Sequence, residues 1–341
     1  MGRETSYRRA ESMYSPRVEG ADPDEVPPEE FAFDLEDDLA GLNEGNGPGT
    51  SRKSRIIRIC VWTLIISVVC LGAAAAVLFT LRSRGEGDAT PVAEETPAPE
   101  KHEPTPVYSY KIVGKHNHTA SSFTQGLFFH NGLMYESQGL RGKSAMRMYE
   151  LDAEKDLQRR PLNNNLFGEG CALVNDEVVQ LVWKQGKGFK YSPTDLELTG
   201  TWRYEGEGWG ITASSDGKIV YMTDGSDEIR RLDPVTLEKS MDNLVVYDYD
   251  NTSVDMLNEL EYIDGEIWSN VWQQDVVLRI DPDTGRIKGK IDFTGLLQEE
   301  DKLMGRVAGV LNGIAYDEKT KTLYITGKNW PKIYVVEIVP P

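Results

Sequence analysis

Glu169 is a single carboxylate able to take a proton and return it, while Lys328 and Asn258 supply an ammonium and a carboxamide that can donate hydrogen bonds to a developing negative charge. Together they suit a reaction in which one acid serves successive proton steps. Each lies in a short segment with glycine, aromatic or apolar neighbours: Phe167-Gly168-Glu169-Gly170, Gly327-Lys328-Asn329-Trp330 and Leu257-Asn258-Glu259-Leu260-Glu261. Phe123, Gln125, Phe167 and Trp209 stand at comparable places where apolar runs open, and Trp183 and Trp272 where the following runs end. Taken singly, each has a plainer explanation. A Glu after Gly is usually a solvated turn residue, a Lys beside Asn an exposed loop residue, and a Trp part of a core. The functional reading depends on the fold bringing them together.

Other chemistries are disfavoured by the same inventory. The four histidines, His102, His116, His118 and His130, lie in the stretch before the folded domain, at its start, or in its first unit. They form no zinc-type spacing with Cys or carboxylates and complete no Ser-His-Asp set. Cys171, two residues after Glu169, is turned by strand alternation into the core as a small hydrophobe, and no nucleophilic role is assigned to it.

The elements that must position the site lie in residues 107–341. Short β-type runs alternate there with Asn-Gly, Asp-Gly, Asp-Pro and Thr-Gly punctuation, and no helical stripe exceeds about two turns. The domain is therefore all-β. Five segments share one grammar of small-residue opening, apolar strand, tight turn and second strand. Aligned on Gly126, Gly170, Gly210, Glu259 and Gly313, they repeat at steps of 44, 40, 49 and 54 residues. Such a period, with about four short strands per unit, points to a β-propeller of five blades rather than a sandwich, which gives no account of the repeat. The last unit ends after its third strand at Val339. Val107–Val113 is expected to supply its missing outer strand and close the ring. In that topology the start of each innermost strand and the end of its neighbour meet on one face. Phe123, Gln125, Phe167, Glu169, Trp209 and Asn258 then converge with Trp183, Trp272 and Lys328, and Glu169 is the only acid in the set.

These segments, with Phe123-Thr124-Gln125-Gly126-Leu127, Glu207-Gly208-Trp209-Gly210 and Ile267-Trp268-Ser269-Asn270-Val271-Trp272, closely resemble the plant and bacterial type of glutaminyl-peptide cyclotransferase, a five-bladed propeller family. The resemblance runs from about Tyr108 to Val339 with the motifs in the family's order. It implies that an N-terminal glutamine of a peptide or protein is cyclised to pyroglutamate with loss of ammonia, without a catalytic transition metal. It further implies Glu169 as proton shuttle and Lys328 and Asn258 as oxyanion donors. Gln125 and the Trp209 indole N–H would orient the substrate amide, and Phe123, Phe167, Trp183 and Trp272 would exclude water. A structural calcium in the central channel is also implied, with ligands unknown. Preference beyond the first substrate residue is expected to be weak, because the pocket is small and closed by aromatics.

Outside the resemblance, residues 1–58 read as an acidic disordered cytoplasmic tail, the first 50 holding 13 acidic and 4 basic residues. Ile59–Leu81, 23 residues without a charge, is long enough to span a bilayer as one helix. Arg52, Lys53, Arg55 and Arg58 on one flank against Arg82 and Arg84 on the other favour a cytoplasmic N-terminus. Residues 82–106, rich in Pro, Glu and Thr, form a stalk. The chain is thus expected to be a single-pass type II protein, a monomer, with its catalytic domain in the lumen of the ER, Golgi or another secretory compartment. N-x-[ST] triplets at Asn117 and Asn251 follow the span and suit glycosylation there. A net charge of -18 argues against nucleic-acid binding. Two competing classes remain: a propeller that binds a peptide or glycan without turnover, and a calcium-dependent hydrolase.

Overall fold

A computed structural model describes residues 103–302 and 307–341. The expected tail (1–58), span (59–81) and most of the stalk (82–106) lie outside the described residues. Residues 103–106 carry no helix or strand. No helix among the described residues is long and apolar enough to cross a membrane.

The described chain is all-β, with one 3-10 turn at Glu299–Asp301. β1 (Val107–Asn117) is the longest strand. The first four-stranded meander is β2 (Thr124–His130), β3 (Leu133–Gln138), β4 (Ala145–Tyr149) and β5 (Gln158–Pro161). The second is β6 (Gly168–Val174), β7 (Glu177–Val182), β8 (Lys187–Tyr191) and β9 (Leu198–Arg203). β10 (Ile211–Ala213), β11 (Val220–Met222), β12 (Glu228–Leu232) and β13 (Leu244–Val245) make the third. The fourth contains β14 (Leu257–Ile263), β15 (Glu266–Val271), β16 (Val276–Ile280) and β17 (Ile287–Asp292). β18 (Leu311–Asp317), β19 (Thr322–Gly327) and β20 (Lys332–Val339) end the chain.

Turn chemistry explains the hairpins. Asn131-Gly132 between β2 and β3 and Asp264-Gly265 between β14 and β15 have positive φ at both central positions, the conformation whose twist matches two antiparallel strands and which Asn, Asp and Gly tolerate best. At the Asp-Pro turns, Asp233 and Asp281 each accept backbone N–H groups two and three residues on, which closes the connection locally.

β1 completes the last unit, as the missing strand required. It runs antiparallel to β20 from Ser109 opposite Val339 to Asn117 opposite Lys332, slipping register between Ile112 and Gly114. The pairing extends past the expected Val113. Its start also lies parallel to β17 at Val107 and Tyr108, so the fourth and last sheets are continuous at their outer edges.

The first strands of the units touch in a circuit: β2 on β6, β6 on β10, β10 on β14, β14 on β18, and β18 on β2. An apolar cluster fills each of these junctions. Tyr135, Met146 and Val178 lie between the first two sheets, Leu181, Trp202 and Val220 between the next two. Ile229, Leu260 and Leu278, then Val277, Ile314 and Tyr334, then Leu127, Met134 and Tyr324 complete the round. Cys171 is buried in the first of these clusters, where alternation places it.

The glycines on which the repeat aligns sit where neighbouring first strands approach. A Cβ at Gly126 would lie 2.3 Å from the Cys171 nitrogen, one at Gly170 2.6 Å from the Trp209 carbonyl oxygen, and one at Gly210 2.1 Å from that of Asn258. Each glycine is therefore required by the next sheet's backbone. Glu259 takes the equivalent place in the fourth unit and reaches across instead. Its carboxylate accepts the N–H groups of Leu127 at 3.2 Å and Ile314 at 2.9 Å, tying β14 to β2 and β18.

Candidate active site

One backbone device recurs where each first strand opens. The backbone N–H of Gly139 donates to the carbonyl of Phe123, Trp183 to Phe167, Trp272 to Met256 and Lys328 to Val310, at 2.8 to 3.0 Å. Residues closing the second strands are thereby pinned beside residues opening the first ones. Immediately inside, the ladder slips register between Thr124 and Gly126, Gly168 and Cys171, Leu257 and Leu260, and Leu311 and Ile314. These bulges carry Gln125, Glu169, Asn258 and Asn312. A bulge re-aims side chains that strict alternation would send to a sheet face, and all four of these are buried.

The aromatic residues join into one wall drawn from several sheets. The Lys328 ammonium lies 4.8 Å from the centre of the Phe123 ring, a cation–π contact. Phe123 meets Phe167 edge-on at 6.2 Å, and Phe167 meets Trp183 at 5.6 Å. Trp209 and Trp272 stand edge to face at 5.8 Å. Trp183 and Trp209 donate their indole N–H groups to the same oxygen, Glu207 Oε2, at 2.8 and 3.0 Å. Trp183, Trp209 and Trp272 are only partly buried, whereas Trp202, Trp268 and Trp330 are core residues. Among the described residues, the three indoles expected to line a pocket are therefore those that keep solvent access.

Lys328 is itself buried. Its backbone is clamped on both sides of Gly309, whose N–H donates to the Lys328 carbonyl at 2.7 Å, while the Trp330 indole donates to the Gly309 carbonyl at 2.8 Å. Asn329, at a φ of 60°, turns the chain and donates its N–H to the Ser122 carbonyl. Glu169 is buried two residues after Phe167 and lies near enough to the Tyr204 hydroxyl to act on it electrostatically. Burial raises that hydroxyl well above its ordinary pKa, the Val182 hydrogen bond opposes this, and the Glu169 charge adds to the rise. Gln125 is held against Phe167: a Cβ on Gly139 would fall 2.7 Å from the Phe167 ring and 2.9 Å from Gln125 Cγ. Asn258 is buried two residues after Met256, whose carbonyl accepts the Trp272 N–H.

Two details depart from the expected arrangement. The Trp209 indole N–H points to Glu207 rather than being held for a substrate amide. Glu169 is also not the only carboxylate against the wall, because Glu207 supports it from the connection between β9 and β10. Asn312 is a further buried carboxamide missing from the predicted set. It stands in the last unit where Gln125 stands in the first, one residue before the aligned glycine, and its Nδ2 donates to the Thr124 carbonyl at 2.9 Å.

The amide oxygens of Gln125, Asn258 and Asn312 are buried without a hydrogen-bond partner. Neutral oxygens of this kind are ligands that a hard cation such as Ca²⁺ accepts. No cluster of His, Cys, Asp and Glu able to hold a metal ion occurs among the described residues.

Comparison with known proteins gives the family. The family model described as glutamine cyclotransferase matches residues 88–338, and the chain belongs to that family. It is 36% identical over 230 residues to the glutaminyl-peptide cyclotransferase of Arabidopsis thaliana, covering 67% of this chain and 71% of that protein. It also resembles the crystal structure of Myxococcus xanthus glutaminyl cyclase, with a TM-score of 0.63 and 30% identity over 70% of this chain and 99% of that one.

Proposed function

We infer that the chain is a glutaminyl-peptide cyclotransferase, which converts an N-terminal glutamine of a peptide to pyroglutamate and releases ammonia. Family membership and the two named relatives support the activity. The observation that carries the site is the wall from Lys328 through Phe123, Phe167 and Trp183, joined by Glu207 to Trp209 and Trp272, with Glu169 buried on the strand that Phe167 opens.

In the mechanism we propose, the substrate's α-amine attacks its own side-chain carbonyl carbon. The proton lost by the amine passes to Glu169, and the amide oxygen gains charge as the carbon becomes tetrahedral. Lys328 and Asn258 stabilise that oxygen more strongly than the ground-state carbonyl. Glu169 then returns the proton to the departing nitrogen, the C–N bond breaks, and ammonia leaves. Gln125 orients the amide. Attack is intramolecular, so the wall's task is to hold the reactive rotamer and exclude water. Trp183, Trp209 and Trp272 serve there as surfaces, the first two oriented by Glu207 and the third packed edge to face on Trp209.

The architecture proposed is a five-bladed β-propeller with β1 as the outer strand of the last blade. The circuit of first strands and the filled junction at each step support it. A calcium ion held by the amide oxygens of Gln125, Asn258 and Asn312 would brace the hub. A single chain supplies every wall residue, in keeping with a monomer. We further propose a single-pass type II topology with the catalytic domain lumenal. The flanking charge bias supports it, as does the exposure of Asn117 and Asn251 for glycosylation.

The test is incubation of the purified chain with a Gln-initiated peptide. The expected result is stoichiometric ammonia with a mass loss of one ammonia, abolished in Glu169→Gln at unchanged melting temperature. Full turnover by that variant would overturn the mechanism.

A further inference from the structure

A cavity of about 600 Å³ adjoins the wall at Phe123. Phe123 lines it and also contacts Lys328 and Phe167. Gly139, whose missing side chain leaves room for Phe167 and Gln125, forms part of its lining. A peptide whose glutamine side chain lies against the wall therefore has this cavity within reach of its next residues, since an extended chain advances about 3.3 Å per residue.

The charges of the cavity are unusual for a chain of net charge -18. Arg147 is neutralised, pairing with buried Glu136 at 3.1 Å and with Asp156 at 2.6 Å. Arg159 is not. Its guanidinium donates at 3.2 Å to two neutral oxygens, Gln138 Oε1 and the Lys143 carbonyl. Lys143 and Lys155, also lining residues, form no ion pair among the described residues. Three cations thus face the cavity against one unpaired lining acid, Glu154. Arg159 is held in place by its hydrogen bonds, and the two lysines extend from the connections on either side of β4.

We propose that this cavity is the subsite for the peptide residues that follow the N-terminal glutamine, and that it selects acidic side chains there. The proposal rests on the cyclotransferase reading, and it replaces the weak preference expected from a pocket closed by aromatics. Exposed pairs contribute modestly, so two or three of them acting together give about tenfold in kcat/KM between acidic and basic peptides.

The experiment compares kcat/KM of the full chain for Gln-Asp-Glu, Gln-Ala-Ala and Gln-Lys-Lys peptides and for glutaminamide, at low and high salt. The expected order is acidic, neutral, basic, with the spread shrinking as salt rises. Lys143→Glu with Lys155→Glu should invert the order while turnover of glutaminamide is unchanged. Arg159→Gln, as an independent variant, should narrow the spread. Equal kcat/KM for the acidic and basic peptides, with glutaminamide still cyclised, would overturn the subsite alone. Failure to cyclise glutaminamide would overturn the cyclotransferase reading and the subsite with it.

Discussion

Two indole N–H groups converge on one oxygen of Glu207, and this single acceptor sets the orientation of Trp183 and Trp209. Hydrogen bonds to a charged group contribute about 1.5–3 kcal/mol each, enough to fix rings that are otherwise half solvated. Glu207→Ala should free both rings and lower kcat/KM by about tenfold or more, each factor of ten being about 1.4 kcal/mol. Glu207→Gln keeps an acceptor and should retain most activity. Steady-state kinetics together with tryptophan emission checks this, because a loss of activity without an emission change would remove the positioning role. Cys171 offers a contrast at the same scale. Burial, followed by the charge of Glu259, pushes its thiol well above the ordinary range. It should therefore resist alkylation in the native protein and react only on unfolding, as labelling followed by mass spectrometry would report.

At the scale of strands, the hub glycines decide how closely the sheets approach. Gly170→Ala sets a methyl 2.6 Å from the Trp209 carbonyl oxygen, against backbone that cannot rotate away. The strands must part, which should destabilise the domain by about 1–3 kcal/mol and disturb Glu169 next to it. The first sheet holds a second constraint. Glu136 is fully buried, yet His118, Arg147 and the Ser122 hydroxyl hold its carboxyl far below the usual range against the opposing effect of burial. A depressed acid contributes stability that is present above its unfolded pKa, about 4.3, and drains away as pH falls. Melting temperature should accordingly drop more steeply below pH ~4.3 in the parent than in Glu136→Gln, which starts lower because a buried pair has been broken. Parallel curves would exclude this role. Much of the geometry was legible at this scale, because the glycines and hairpin turns repeat with a period that only a repeated sheet explains. Asn312 was legible too, standing before Gly313 as Gln125 stands before Gly126. The place of Glu207 was legible as well, three residues before Gly210 as Phe123 and Phe167 stand three before Gly126 and Gly170, but its role was not, since the repeat puts an aromatic ring there in the first two units and an acceptor here. The hydrogen bond that the Trp209 indole gives to Glu207 follows from that exchange of a ring for a carboxylate.

At the scale of the whole molecule, closure depends on a strand that comes first in the chain and is used last. The row of backbone groups on β20 would be an open edge without β1, and the apolar cluster around Phe293, Tyr334 and Val336 would lose the cover of Tyr108, Tyr110 and Ile112. Because β1 also pairs with β17, one strand fastens two sheets. Replacing Val107–Asn117 in the full chain by a Gly/Ser run of equal length should therefore act far beyond the outer edge. The last unit would loosen, β18 would shift against β2, and Lys328 would lose its fixed place over Phe123. The expected result is a fall in melting temperature of more than about 10 °C together with loss of ammonia release. A variant that melted within a few degrees of the parent and still turned over Gln-peptides would mean that the circuit of first strands holds without its outer clasp.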